Sequence, residues 1–226
     1  MTAHLRPTAA IAADALLPGD PGRALALAQA LLSKPKMANH NRGLWGYTGA
    51  TASGHELTIQ STGIGGPSGA VVLEELATLG VRRAVRIGTC VALDGRLALG
   101  DVVLVAEAIA DDGASKALGA NSASRPDPAL QNRLRRINEA APEATVASTD
   151  LFYDPERERR RDAWLAAGAS AVELGTAALF EVGRRRGVAV ASCLVVAEAG
   201  GTRLDPDDES TAATLAGRLS VEALRG

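Results

Sequence analysis

The run Val85-Arg86-Ile87-Gly88-Thr89-Cys90 sets an arginine between apolar residues that suit a buried strand. A guanidinium stays charged at any accessible pH, so inside a sheet it needs an anionic partner or a route to water. Arg86 is therefore either the outward residue of a half-exposed strand or a residue aimed at an anion. A second cationic candidate lies in Leu16-Leu17-Pro18-Gly19-Asp20-Pro21-Gly22-Arg23, where a Pro-Gly-Asp-Pro turn ends a strand and Arg23 falls just inside the next helix. The backbone amides of such a turn and the helix N-terminus bind anions, and a guanidinium strengthens the site. The same residues also make an ordinary turn with a surface arginine. The glycine cluster in STGIGGPSG (61–69) matches neither the G-x-G-x-x-G dinucleotide fingerprint nor a P-loop. It serves close backbone approach or merely turns the chain. No His/Cys/Asp/Glu grouping has metal-ligand spacing, so neither a catalytic metal nor an organic cofactor is expected.

Alternating elements must position these residues. ELTIQSTG (56–63), RAVRIGTC (83–90), DVVLVAEAIA (101–110), ATVASTD (144–150) and VAVASCLVVAE (188–198) read as strands. PSGAVVLEELATLG (67–80), with proline at its start and glycine at its end, reads as a helix. So do PALQNRLRRINEAA (128–141), RRRDAWLAAG (159–168), TAALFEVGRRRG (176–187) and STAATLAGRLSVEAL (210–224). The alternation predicts one α/β domain over residues 1–226, a central mixed sheet flanked by helices. Ligands of such sheets gather at the carboxyl ends of strands. There fall Gly63 to Gly66, Gly88 to Cys90, Asp150 to Tyr153, Glu173 to Gly175, and Ala197-Glu198.

The 226 residues, 46% hydrophobic, provide ample core for one domain. A formal charge of −2 argues against nucleic-acid or membrane-surface partners, which call for a basic face. No apolar run nears the roughly 20 residues that span a bilayer, and no signal peptide is visible, so a cytoplasmic location is expected. Cys90 and Cys193 read as packed, reduced thiols, and His40 and His55 as surface loop residues.

Taken in order, LLPGDPGRA (16–24), NRGLWGYTG (41–49), STGIGGPSGAVVLEELATLGVRRAVRIGTC (61–90), LGDVVLVAEAIADDGAS (99–115), STDLFY (148–153) and AVELGTAALFEV (171–182) resemble the nucleoside phosphorylase family. STGIGGPS, RIGTC and DGAS lean toward its uridine phosphorylase branch, and the resemblance covers nearly the whole chain. It implies phosphorolysis of a nucleoside to free base and a pentose 1-phosphate, with inorganic phosphate as co-substrate. It implies that phosphate is held by Gly19, Arg23, Arg86 and Thr89, joined by Arg42 of a neighbouring subunit. Arginines converging on one point repel one another unless a dianion sits among them. The resemblance further places His4 against the ribose of the adjoining subunit and Phe152 against the base. It adds Ile64, Glu156, Glu173, Leu174 and Gly175 to the nucleoside end. A homo-oligomer follows, a dimer at minimum and commonly a hexamer in the family.

The nucleoside end departs from the family pattern. Where relatives carry Glu-Met-Glu, the second glutamate gripping the ribose hydroxyls, this chain has Glu173-Leu174-Gly175. Glu173 is the nearby group that could swing into the vacated space. The glutamine and arginine that read uracil in uridine phosphorylases are replaced by Glu156 and Glu158. The Ser-Asp of purine-specific members is Ala197-Glu198, and Glu198 could protonate the leaving base if buried. The alternatives are a purine-type phosphorylase, or an impaired homologue that binds a nucleotide or sugar phosphate.

Overall fold

The computed structural model describes residues 2–226. Strand β1 (Asp14–Pro18), buried throughout, runs into helix α1 (Pro21–Leu31). Asp20 starts the helix by accepting from the Arg23 amide at 2.7 Å, while Pro21 presets the first turn. The same Asp-Pro device starts α4 (Pro128–Ile137) from Asp127 and α7 (Pro206–Arg225) from Asp205. Strands β2 (Lys36–Asn39), β3 (Gly46–Ala50) and β4 (Glu56–Gln60) form an antiparallel meander that returns to lie parallel to β1. There follow α2 (Gly65–Thr78), β5 (Arg83–Ala92), β6 (Val102–Asp111), α3 (Gly113–Ala117), β7 (Ala123–Ser124) and then α4. The chain ends with β8 (Glu143–Thr149), α5 (Arg157–Ala166), β9 (Ala171–Glu173), α6 (Thr176–Arg186), β10 (Ala189–Ala199), β11 (Thr202–Arg203) and α7.

The sheet is mixed. β5 lies parallel to both β1 and β10, β10 antiparallel to β6, and β6 parallel to β8. β8 lies parallel to β9, and β9 returns antiparallel to β5. This circuit of β5, β10, β6, β8 and β9 closes on itself, so none of these strands is left as a bare edge. β1, β4, β3 and β2 extend from it as an open wing. One apolar layer packs α2 and α6 on the sheet through Leu73, Leu76, Leu179 and Val182. The opposite layer packs α1 and α7 through Leu27, Ala28, Val221 and Leu224. A small third cluster lies beneath Trp164 of α5.

Four helices differ by two or more residues from their sequence boundaries; α2 and α5 each begin and end two residues earlier, at Gly65–Thr78 and Arg157–Ala166. α4 stops at Ile137 rather than running to residue 141, and α7 begins at Pro206 rather than 210 because Asp205 caps it. β2, β3, α3 and the short β7, β9 and β11 carry too little periodicity to be read in advance. His55 is not a free loop residue. Its side chain is 19% exposed and its Nε2 lies 3.0 Å from Oδ2 of buried Asp14, which also pairs with Arg83. Among the described residues no helix is long and apolar enough to cross a membrane.

Candidate active site

The carboxyl ends of β1, β5 and β10 and the loop after β8 open onto a cavity of about 410 Å³. Arg86 stands in its wall, in register with Leu17 of β1 and Ser192 of β10, and is 9% exposed. Its Nη2 donates to Glu173 Oε2 at 3.0 Å, while its buried Nε has no partner. The residue two positions on shares its face of the strand. That residue is Gly88, and a Cβ there would lie 3.1 Å from Arg86 Nε and 2.7 Å from Leu194 Cδ2. Glycine thus leaves room for the guanidinium to fold back along β5. Gly19, Arg23 and Thr89 line the same cavity. Arg23 Nη2 donates to Glu209 at the start of α7, which ties the mouth of the cavity to that helix.

Glu173 ends β9, directly across the register from Ser148 of β8. Its side chain is fully shielded from solvent. Oε2 accepts from Arg86 and, at 2.8 Å, from the Gly175 amide; Oε1 accepts from the Thr176 amide at 2.9 Å and from the Ser148 hydroxyl. Every strong acceptor direction is therefore spent inside the protein. The expectation that Glu173 touches nucleoside, or swings to replace the missing glutamate, does not fit this geometry: release would orphan two helix-start amides and a buried guanidinium. Gly175 itself is buried beneath the α2 N-terminus, where a Cβ would lie 3.2 Å from both Gly65 C and Gly66 N.

Ile64, Phe152, Leu174, Arg157 and Glu198 also line the cavity. Phe152 is 51% exposed and meets the Tyr153 ring edge-on, centroids 5.0 Å apart. Glu198 is 26% exposed on its side chain, with Arg157 Nη2 of α5 at 4.0 Å. The burial on which its role as a proton donor was premised is thus incomplete. Val91, Arg157 and Glu198 also border a second cavity of about 500 Å³. Arg157 faces inward because it opens α5, whereas Glu156, the position expected to read the base, is exposed and bound to Arg159. Arg203, also in the wall, comes from the short β11. Neither Arg157 nor Arg203 carries a sequence signal beyond its charge; only the fold turns them inward.

Two expected residues lie elsewhere, together. Arg42 is exposed in a turn at Asn41–Gly43 with φ of 60°, and it lines neither cavity. His4 Nδ1 lies 2.9 Å from Glu75 Oε1, and Asn41 Nδ2 donates to the His4 carbonyl at 2.6 Å. The two segments thus form one surface feature. Burial pushes the Cys90 and Cys193 thiols up to about 12, so both are packed, unreactive side chains. Among the described residues no cluster could hold a metal ion.

Residues 14–225 match the model of the family described as "Phosphorylase superfamily". The chain belongs to that superfamily. This chain is 34% identical over 198 residues to a DeoD-type purine nucleoside phosphorylase of Caldanaerobacter subterraneus subsp. tengcongensis, covering 83% of each chain. It is 35% identical over 189 residues to a guanosine phosphorylase of Halorubrum lacusprofundi, covering 80% of this chain and 76% of that one. A crystal structure of uridine phosphorylase from Vibrio fischeri superposes on this chain with a TM-score of 0.87 at 26% identity, over 95% of this chain and 92% of that one. The sequence relatives bear purine names and the structural one a pyrimidine name.

Proposed function

We propose that this phosphorylase cleaves nucleosides with inorganic phosphate, giving a free base and a pentose 1-phosphate. The observation that carries the reading is Arg86: a buried guanidinium with an unpartnered Nε, in a cavity also lined by Thr89, Arg23 and the Gly19 turn. A buried cation with donors to spare is stabilised by an anion held in several charge-assisted hydrogen bonds. Phosphate seated there attacks the anomeric carbon; the carbon–nitrogen bond breaks, its electron pair leaves with the base, and the oxocarbenium-like charge collapses onto the phosphate oxygen. Positioning of the nucleophile and electrostatic stabilisation supply the acceleration. No cofactor enters the reaction.

Phe152 and Ile64 form an apolar platform for the base, with Leu174 beside the sugar. Arg157 and Glu198 face the base edge, one donating and the other accepting, and the proton taken up by the departing ring comes from solvent, which reaches the cavity beside Glu198. A guanidinium–carboxylate pair matches 6-oxopurines, whose ring N–H and carbonyl are adjacent, and the second cavity beyond the pair leaves room for the larger ring. Uracil offers a similar edge, so the base is to be established by assay. Arg42 and His4 serve the site of a second copy, which makes a dimer the smallest complete enzyme. A non-Gly residue at positive φ costs on the order of 1–2 kcal/mol. Holding exposed Arg42 there fits a side chain presented outward to a partner. The exposed Tyr153, outside the cavity wall, is apolar surface for that partner to cover.

The test is release of free base from guanosine, inosine, adenosine, uridine and their 2′-deoxy forms, with and without phosphate. Phosphate-dependent release from at least one supports the reading. Ligand-induced thermal stabilisation without turnover of any supports the binding-protein alternative.

A further inference from the structure

We propose that Glu173 is the positioning residue of the phosphate site, setting the pose of Arg86 and coupling it to the start of α6, and that it makes no contact with the nucleoside. This rests on the phosphate reading of Arg86 given above. The carboxylate is placed by three independent pieces of backbone. β8 supplies Ser148 in register with it, β9 supplies Glu173 itself, and α6 supplies the Gly175 and Thr176 amides. Ser148 in turn accepts from the Ala177 amide at 3.0 Å, so the first amides of α6 all close on this cluster. The positive end of α6 and the Arg86 guanidinium together compensate the buried charge.

The arrangement acts on Arg86 in a directed way. Glu173 takes Nη2 and leaves Nε unclaimed, while the bare backbone at Gly88 accommodates the folded-back side chain. An arginine otherwise loses considerable rotamer freedom when it grips a ligand. Here that loss is taken on folding, so phosphate meets a guanidinium already in place. Glutamine in place of Glu173 cannot reproduce the pattern. All of its partners except the serine hydroxyl are pure donors, and its amide group would face one of them with another donor.

The competing physical picture is that Glu173 is only a counter-charge that repels phosphate. Removing it would then tighten phosphate binding. The experiment measures phosphate affinity by calorimetry, and KM for phosphate and for the best nucleoside substrate, in the parent, Glu173→Gln, Ser148→Ala and Arg86→Ala. We expect Glu173→Gln to weaken phosphate about tenfold or more, the scale of one charge-assisted hydrogen bond, while the nucleoside KM stays within about threefold. Ser148→Ala, which removes one anchor of the carboxylate without touching Arg86, should shift phosphate in the same direction and by less. It carries the test if the glutamine variant does not fold. Unchanged or tighter phosphate binding in Glu173→Gln, or an equal rise in the two KM values, overturns the assignment. Where Glu173→Gln does not fold, unchanged phosphate binding in Ser148→Ala overturns it. Undiminished phosphate affinity in Arg86→Ala instead overturns the phosphate reading itself, which keeps the two failures apart.

Discussion

At the scale of single residues, the proposed phosphate site is built by small side chains as much as by charged ones. Arg86 can lie folded along β5 only because Gly88 presents no Cβ, and Glu173 can reach the α6 amides only because Gly175 and Thr176 start the helix immediately after it. The sugar end lacks an equivalent. With glycine at 175 and Glu173 fully engaged, neither position of the Glu173–Gly175 segment offers a free carboxylate to the ribose hydroxyls. We expect kcat/KM for a riboside and its 2′-deoxyriboside to lie within about tenfold of each other, since the discriminating bond, worth roughly 1.5–3 kcal/mol, is absent. Matched kinetics on guanosine and deoxyguanosine, and on uridine and deoxyuridine, check this; a hundredfold riboside preference would show that another residue holds the hydroxyls. Restoring the carboxylate by Gly175→Glu requires the Gly65–Gly66 backbone to give by a few tenths of an ångström, so any gain in riboside preference arrives with reduced thermal stability.

At the scale of elements, the N-terminal segment is held to α2 by one carboxylate. Glu75 accepts from the amides of Ala3, His4 and Leu5 and from the His4 ring. Burial pushes its carboxyl up, but these donors outweigh burial and hold it below the ordinary carboxylate range. A carboxyl depressed by folding contributes stability that is present above its unfolded value and lost as pH falls through its folded value. The hydrogen-exchange protection of amides 3–5 should therefore persist from neutral pH down to about pH 4.5 and collapse below it. In Glu75→Gln the loss should already be present at neutral pH. Since Asn41 bonds the His4 carbonyl, the Arg42 turn should loosen together with the segment. Protection unchanged in the glutamine variant would show that packing of buried Leu5, rather than the carboxylate, docks the segment.

At the scale of the whole molecule, Arg42 and the cavity lie apart in one chain, and the proposed enzyme is complete only as a dimer. Arg42→Ala and Arg86→Ala should each abolish activity, the first by depriving a neighbour's site and the second its own. Mixed after unfolding and refolding together, the two inactive proteins should recover roughly a quarter of parental activity. Half of random dimers are mixed, and each of these carries one intact site. Light scattering of the parent should show no 23.1 kDa monomer at micromolar concentration. Failure of the mixture to regain activity in a protein that is oligomeric would place Arg42 outside the site.

The sequence alone determined the alternation of strands and helices, the helix start behind the Pro-Gly-Asp-Pro turn at 18–21, and the arginine set between apolar residues on β5. These are local matters, decided by side-chain period, by proline's fixed φ and by the two-residue repeat of a strand face. Motif order along the chain was enough for the phosphorylase resemblance. Tertiary structure alone decided which charges meet. β9 has only three residues, too few for any periodic signal, yet its pairing with β8 and β5 brings Glu173 to Ser148 and to Arg86, 87 positions away. Arg157 and Glu156 are neighbours in sequence and alike in exposure to any composition-based reading, but the first turn of α5 points one into the cavity and leaves the other on the surface. A carboxylate's role depends on which donors fill its lone pairs, and those donors come from strands and helices distant in the chain. That is why Glu173 reads as a nucleoside contact in sequence and as the anchor of Arg86 in the folded protein.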